Sequence, residues 1–141
     1  MVAGSFASAP AAAAEQMAGK TVEVWKSPSC GCCGGWVTHM REAGFQVTVH
    51  EVDDVDPVKA QQGVPAPLHS CHTALVDGYV LEGHVPASDV KRLLTERPKA
   101  RGLSVPGMPQ DAPGMDMKTG TPYQTVLFGT ADGKATVYAR H

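Results

Sequence analysis

Three of the four cysteines in this 141-residue chain occupy one short run, Cys30-Gly31-Cys32-Cys33. The run follows an alternating segment, residues 21–26, that predicts a β-strand, and residues with helical spacing come after it. A thiol at the start of a helix lies beside the positive end of the helix dipole, which favours the thiolate. Sulfur at this local density indicates a thiophilic metal or thiol–disulfide exchange.

The spacing within the run leaves both hypotheses open. Cys30 and Cys33 have the C-x-x-C spacing of a dithiol oxidoreductase, and Cys32 adds a vicinal sulfur that a multi-sulfur metal site could use. A metal-free thiol–disulfide oxidoreductase would use Cys30 and Cys33 as its reactive pair, with Cys71 or Cys32 as the resolving thiol. A structural zinc module fits poorly, because zinc ribbons need two separated cysteine pairs and the hydrophobic pattern already builds a core.

The remaining patterns predict the element order β-α-β-α-β-β-α. Such an order is typical of a thioredoxin-like α/β fold, a small mixed β-sheet flanked by helices. The signals for its boundaries are a helix ended by Gly44, a strand at 45–52, a short helix from Asp56-Pro57, a hairpin across Asp77-Gly78, and a helix from Pro86 to Pro98.

The chain continues beyond this minimal core. A loop rich in Pro, Gly and Met is predicted at 102–122, followed by a hairpin of residues 123–128 and 134–139 joined at Asp132-Gly133. Met108 and Met115 lie in that loop, and their thioethers are soft ligands for Cu(I). The alternative is that these methionines fill gaps beneath the loop.

Cys71 is predicted to meet the cysteine run. In a thioredoxin-like topology the residues before the third strand pass in front of the cysteine-bearing helix end, and this strand begins at Thr73. All four sulfurs would then converge. A vicinal Cys32–Cys33 disulfide would be strained, so we expect the oxidised protein to bond Cys71 to one cysteine of the run.

The histidines have different expected roles. His69 and His72 flank Cys71, and either could ligate a metal or shift the pKa of the thiol. His72 is the stronger candidate because it adjoins the thiol, and His39 on the first helix is a further candidate ligand. His84, which follows a strand, is expected to make a backbone hydrogen bond.

Composition narrows the function classes. A formal net charge of −2 with mixed charges offers no basic stripe, so nucleic-acid binding is not expected. No apolar stretch is long enough to span a membrane. Residues 1–19 are mostly Ala, Ser and Gly, and we interpret them as a disordered remnant of an export leader. Residues 20–141 are predicted to form a single domain.

Taken together, these residues resemble the CopG-like family of exported bacterial copper-handling proteins. The resemblance covers almost the whole chain after the leader. Its matching segments are Cys30-Gly31-Cys32-Cys33, Trp36-Val37-Thr38-His39, Gly44-Phe45, Ser70-Cys71-His72-Thr73-Ala74, Gly78 to Ala87, Gly102 to Pro109 and Pro113-Gly114-Met115.

The resemblance implies a thioredoxin-like fold, a periplasmic location and a role in copper resistance. Carried across, Cys30, Cys32, Cys33 and Cys71 would bind copper as a thiolate cluster and could also form a disulfide. One to four Cu(I) ions could be bridged between these thiolates, and charge balance favours several bridged ions over one ion held by all four. Cys30, Cys33 and Cys71 are thus the redox-active candidates of a copper-linked oxidoreductase. The expected partners are copper ions and periplasmic copper efflux or oxidase proteins.

Overall fold

A computed structural model of the protein describes residues 20–141, so the predicted leader lies outside the described residues. The described part contains three α-helices and a seven-stranded mixed sheet. The elements in chain order are β1 (Thr21–Lys26), α1 (Gly31–Glu42), β2 (Gln46–Glu51), α2 (Asp56–Gln61), β3 (Thr73–Val76), β4 (Tyr79–Glu82), α3 (Ala87–Glu96), β5 (Gly102–Ser104), β6 (Gln124–Phe128) and β7 (Thr136–Arg140). The predicted order is confirmed, with one strand added.

The sheet has the order β2-β1-β3-β4-β5-β6-β7. β1 and β2 are parallel because α1 connects them as a crossover, whereas β3 pairs antiparallel with both β1 and β4. β4 and β5 are parallel, and β5, β6 and β7 continue antiparallel. This arrangement places the start of α1 and the loop before β3 at the same end of the sheet.

The added strand corrects one prediction. Residues 102–104 were expected to belong to the long loop, but they form β5 and join the core sheet to the C-terminal hairpin. All three residues are buried, so no polar alternation marks them in the sequence.

Apolar side chains cover both faces of the sheet. On one face Val22 and Val24 of β1 pack with Trp36 and Met40 of α1 and with Leu93 of α3. A smaller cluster on the other face joins Val64, Val80 and Phe128, with Leu68 and Leu75 against it. Within residues 20–141, none of the helices has the length and apolarity that a membrane crossing needs.

Candidate metal and thiol site

The cysteine run lies at the first turn of α1. Cys30 is the N-cap residue with extended backbone, and the helix begins at Gly31. Cys30 and Cys33 form a disulfide, with their Cα atoms 5.5 Å apart, while Cys32 is a free, half-buried thiol. The predicted bond from Cys71 to the run is therefore wrong for this state. Three residues span about one helical turn, which brings Cys30 and Cys33 within disulfide distance.

Cys71 lies in front of this turn, as the topology predicted. Its Sγ is 3.4 Å from Cys33 Sγ, and Cys30 Sγ is 3.5 Å from Cys32 Sγ. The Sγ atoms of all four cysteines lie within 4.8 Å of one another. Sulfurs from two stretches of the chain thus form one cluster.

His84 completes the surroundings of Cys71. Its Nε2 is 3.1 Å from Cys71 Sγ, and its Nδ1 is 2.5 Å from the carbonyl oxygen of Pro113. A carbonyl oxygen only accepts hydrogen bonds, so Nδ1 carries the proton and Nε2 of the neutral ring presents its lone pair to Cys71.

The sequence predicted the backbone hydrogen bond of His84 but missed its contact with the thiol. The signal was available in the β3–β4 hairpin, whose two-residue turn pairs Val76 with Tyr79 and Thr73 with Glu82. Continuing this register by two residues places Cys71 opposite His84.

His72 is buried between the sulfurs and Trp36. Its Nδ1 is 3.3 Å from Cys33 Sγ and 3.4 Å from Cys71 Sγ, and its ring centroid is 4.5 Å from that of Trp36. Among the described residues, its Nε2 is a buried side-chain nitrogen without a hydrogen-bond partner. The nitrogen that faces the sulfurs is Nδ1, so Nδ1 is the atom that His72 could offer to a metal ion in the site.

Burial favours the neutral forms of Cys71, His72 and His84. Desolvation raises the pKa of the Cys71 thiol to about 11, and the nearby Cys32 acts in the same direction. Desolvation also lowers the pKa of His72 well below its ordinary value and lowers that of His84. At neutral pH Cys71 is thus a thiol facing an unprotonated nitrogen.

A buried polar network fixes the loop that carries Cys71. The Glu82 carboxylate accepts hydrogen bonds from Lys59 Nζ at 2.6 Å, Thr73 Oγ1 at 2.6 Å and the Ser70 backbone N–H at 2.8 Å. The side chains of Lys59 and Glu82 are almost fully buried. Because Ser70 precedes Cys71, this network ties the cysteine to α2 and β4.

The long loop between β5 and β6, residues 105–123, packs against the first turns of α1. A Cβ atom on Gly114 would lie 2.7 Å from both the Cys32 carbonyl oxygen and the Trp36 backbone nitrogen. Met108 Sδ is 4.0 Å from Ser70 Oγ, and the Met108 side chain is exposed. Met115 is half-buried one residue after Gly114. The proposed ligand roles of both methionines stay predictions.

His39 lies apart from the sulfurs in its contacts. Its Nε2 accepts a hydrogen bond of 3.0 Å from the backbone N–H of Ala87, at the start of α3. Among the described His, Cys, Asp and Glu side chains, two overlapping groups could hold a metal ion, and neither includes His39. Their members are Cys30, Cys32, Cys33 and Cys71 in one, and Cys33, Cys71, His72 and His84 in the other.

The fold and the site define a mixed α/β protein with a cluster of thiols and imidazoles at one end of its sheet. These soft and borderline donors suit copper rather than a hard cation. Residues 68–115, which include Cys71, His72 and His84, match the family described as "Protein of unknown function, DUF411". None of the curated proteins compared with the chain matches it.

Two solved structures are similar over nearly their whole length. "Copper resistance protein copG- Form 1" is 42% identical, with a TM-score of 0.80, and the match covers 87% of this chain and 98% of that one. "Copper resistance protein copG- Form 2" is 41% identical, with a TM-score of 0.81 and the same coverage. The chain belongs to the CopG family of copper resistance proteins.

Proposed function

We propose that the protein binds Cu(I) as its cargo through the thiolates of Cys30, Cys32, Cys33 and Cys71. The observation that carries the proposal is the grouping of the four Sγ atoms within 4.8 Å of one another. Thiolates are the ligands that Cu(I) prefers, and the similar structures are named as copper resistance proteins.

Charge favours several bridged ions over one. Each Cu(I) offsets the charge of one thiolate, so a single ion among four thiolates would leave a large negative excess in a half-buried site. His72 and His84 add neutral nitrogen ligands, while Met108, Met115 and His39 stay proposed as further ligands. The proposed cargo is thus a multinuclear copper–thiolate cluster.

We also propose a thioredoxin-like architecture, a periplasmic location and redox cycling. The order β2-β1-β3-β4, with a cysteine-bearing helix after β1, supports the first of these. Oxidation of two thiolates to a disulfide releases two electrons, which would reduce two Cu(II) ions to Cu(I). Copper efflux or oxidase proteins of the periplasm would be the partners, and copper resistance the outcome.

Anaerobic titration of the fully reduced protein with Cu(I), followed by thiolate-to-copper absorption, tests the proposal. We expect more than one equivalent to bind, and Cys71→Ser to lower both the stoichiometry and the affinity. His84→Asn should also lower the affinity, because it removes a neutral nitrogen ligand. His50→Asn is its matched control, because His50 lies on β2 outside both candidate groups. Binding that persists unchanged after loss of all four cysteines would refute the copper site.

A second candidate function is thiol–disulfide exchange on exported proteins without copper. The Cys30–Cys33 disulfide at the start of α1 favours it, since a helix N-terminus stabilises a leaving thiolate. Reduction of insulin separates the two candidates. Substantial turnover by the metal-free protein would favour the oxidoreductase, and its absence together with tight Cu(I) binding would favour the copper site.

A further inference from the structure

The oxidised site contains a thiol next to a disulfide. With Cys30 and Cys33 bonded, Cys32 and Cys71 are the free cysteines. Cys33 Sγ is one of the two bonded sulfur atoms, and Cys71 Sγ lies 3.4 Å from it. A thiolate that reaches a disulfide sulfur can displace the other sulfur, so these atoms are the reactants of an exchange.

The same thiol faces a proton acceptor. His84 Nε2 is 3.1 Å from Cys71 Sγ, and the hydrogen bond from Nδ1 to the Pro113 carbonyl holds the ring in the tautomer that leaves Nε2 unprotonated. The potential leaving group, Cys30, is the N-cap residue of α1, where the free N–H groups of the first turn favour a negative charge.

We propose that the disulfide migrates within the protein from Cys30–Cys33 to Cys33–Cys71. The Cys71 thiol gives its proton to His84 Nε2, and its sulfur forms a bond with Cys33 Sγ. The bond between Cys33 and Cys30 breaks, and its electron pair leaves on Cys30 as a thiolate. One disulfide replaces another, so the step needs neither an oxidant nor a reductant.

Migration changes which thiols are free. Before the step they are Cys32 and Cys71, and after it they are Cys30 and Cys32, whose Sγ atoms are 3.5 Å apart at the half-buried start of α1. The oxidised protein would thereby gain an adjacent pair of thiols that can accept Cu(I). This last role rests on the proposed function, whereas the migration itself does not.

The test uses oxidised, copper-free protein treated with excess iodoacetamide, then acidified and digested with trypsin. The cysteine run falls in peptide 27–41 and Cys71 in peptide 60–91, so a Cys33–Cys71 bond links two peptides while a Cys30–Cys33 bond stays within one. We expect label on Cys30 to accumulate together with the linked peptides. In Cys71→Ser the disulfide should stay within peptide 27–41. Label confined to Cys32 and Cys71, with no linked peptides, would overturn the migration.

His84→Asn tests the proton acceptor. Asparagine keeps an N–H donor for the Pro113 carbonyl but removes the nitrogen that faces Cys71. Labelling of Cys30 should therefore slow by roughly 100-fold in variant protein that a thermal unfolding scan shows to be folded at the assay temperature. A wild-type rate in this variant would overturn the role of His84. Because the experiment contains no copper, its failure would leave the Cu(I) titration of the reduced protein unaffected.

Discussion

Gly114 is the residue at which the long loop contacts the first turn of α1. Its φ is +95°, and an added Cβ would lie 2.7 Å from the Cys32 carbonyl oxygen and 2.8 Å from His84 Nδ1. Only glycine combines this backbone conformation with such close approach. The loop can therefore pack this closely over the cysteines only because Gly114 has no Cβ atom.

We expect Gly114→Ala to destabilise the protein more than a glycine substitution at an open position. The matched control is Gly120→Ala, since Gly120 also has a positive φ, +78°, but no atom lies within 4 Å of its added Cβ. Both variants carry a conformational cost of about 1–2 kcal/mol, and Gly114→Ala adds about 1–3 kcal/mol of overpacking. Urea unfolding measures the difference. Equal destabilisation by Gly114→Ala and Gly120→Ala would mean that the loop is not closely packed against α1 at Gly114.

The histidines show how far sequence reasoning reaches at this scale. Residue type and proximity to Cys71 identified His72, and the structure brings it to the sulfurs. His39 and His84 were assigned without knowledge of which backbone groups each ring meets, and those contacts come from the packing of α3 and the long loop. Such contacts depend on three-dimensional packing that no local pattern records.

The contact between His39 and α3 links two helices through an uncharged ring. Burial lowers the pKa of His39 from 6.5, and Nε2 accepts the N–H of Ala87 only when it is unprotonated. The unfolded chain therefore binds a proton at a higher pH than the folded one. Stability from this group is present above pH 6.5 and is lost as the pH falls below it.

We expect His39→Gln to reduce the loss of stability that occurs as the pH falls. Glutamine keeps an acceptor for the Ala87 N–H but does not titrate. The unfolding free energy of the variant should therefore fall less between pH 7 and pH 5 than that of the wild type. Urea unfolding at several pH values measures the two slopes. The difference isolates His39, because His72 and His84 contribute to both proteins. Parallel slopes would show that His39 does not titrate on unfolding in this range.

The buried pair of Lys59 and Glu82 joins α2 to β4. We expect Glu82→Gln to destabilise the protein by about 3–5 kcal/mol, because it leaves the Lys59 ammonium without a counter-charge in the interior. The double variant Lys59→Met with Glu82→Gln should recover most of that loss, since it removes both charges. Urea unfolding of the two single variants and the double variant measures their coupling. Additive losses would contradict a coupled pair.

Most elements were predictable from the sequence, and the exceptions have physical reasons. Alternation and glycine signals predicted β1, the helix ends and both hairpins to within about two residues, because these features are local. β5 was missed because it is short and wholly buried. Glu82 has the charge of a surface residue, so its burial could not be read from the strand pattern. The disulfide prediction used strand topology to bring Cys71 to the run, whereas the observed Cys30–Cys33 bond follows from the spacing of one helical turn.

At the scale of the whole molecule, copper binding should stabilise the fold. A ligand that binds only the folded state adds about 2.7 kcal/mol at a free concentration of 100 times its Kd. We expect Cu(I) to raise the unfolding temperature of the reduced protein, and to raise it much less in the variant with all four cysteines replaced by serine. Anaerobic calorimetry measures both. An equal rise in the two proteins would indicate binding outside the cysteines.

The turn at Asp77-Gly78 lies far along the hairpin from the sulfurs, yet its length decides which ring Cys71 meets. Neighbouring side chains of a strand point to opposite faces, so one inserted or deleted residue there would leave the hairpin intact and offer Cys71 a different neighbour. Asp77 and Gly78 both have a positive φ, so relatives that share this chemistry should keep the number of residues in the turn as well as residue types that tolerate this backbone conformation. A conserved length of this surface turn would then reflect the contact between Cys71 and His84 at the other end of the hairpin.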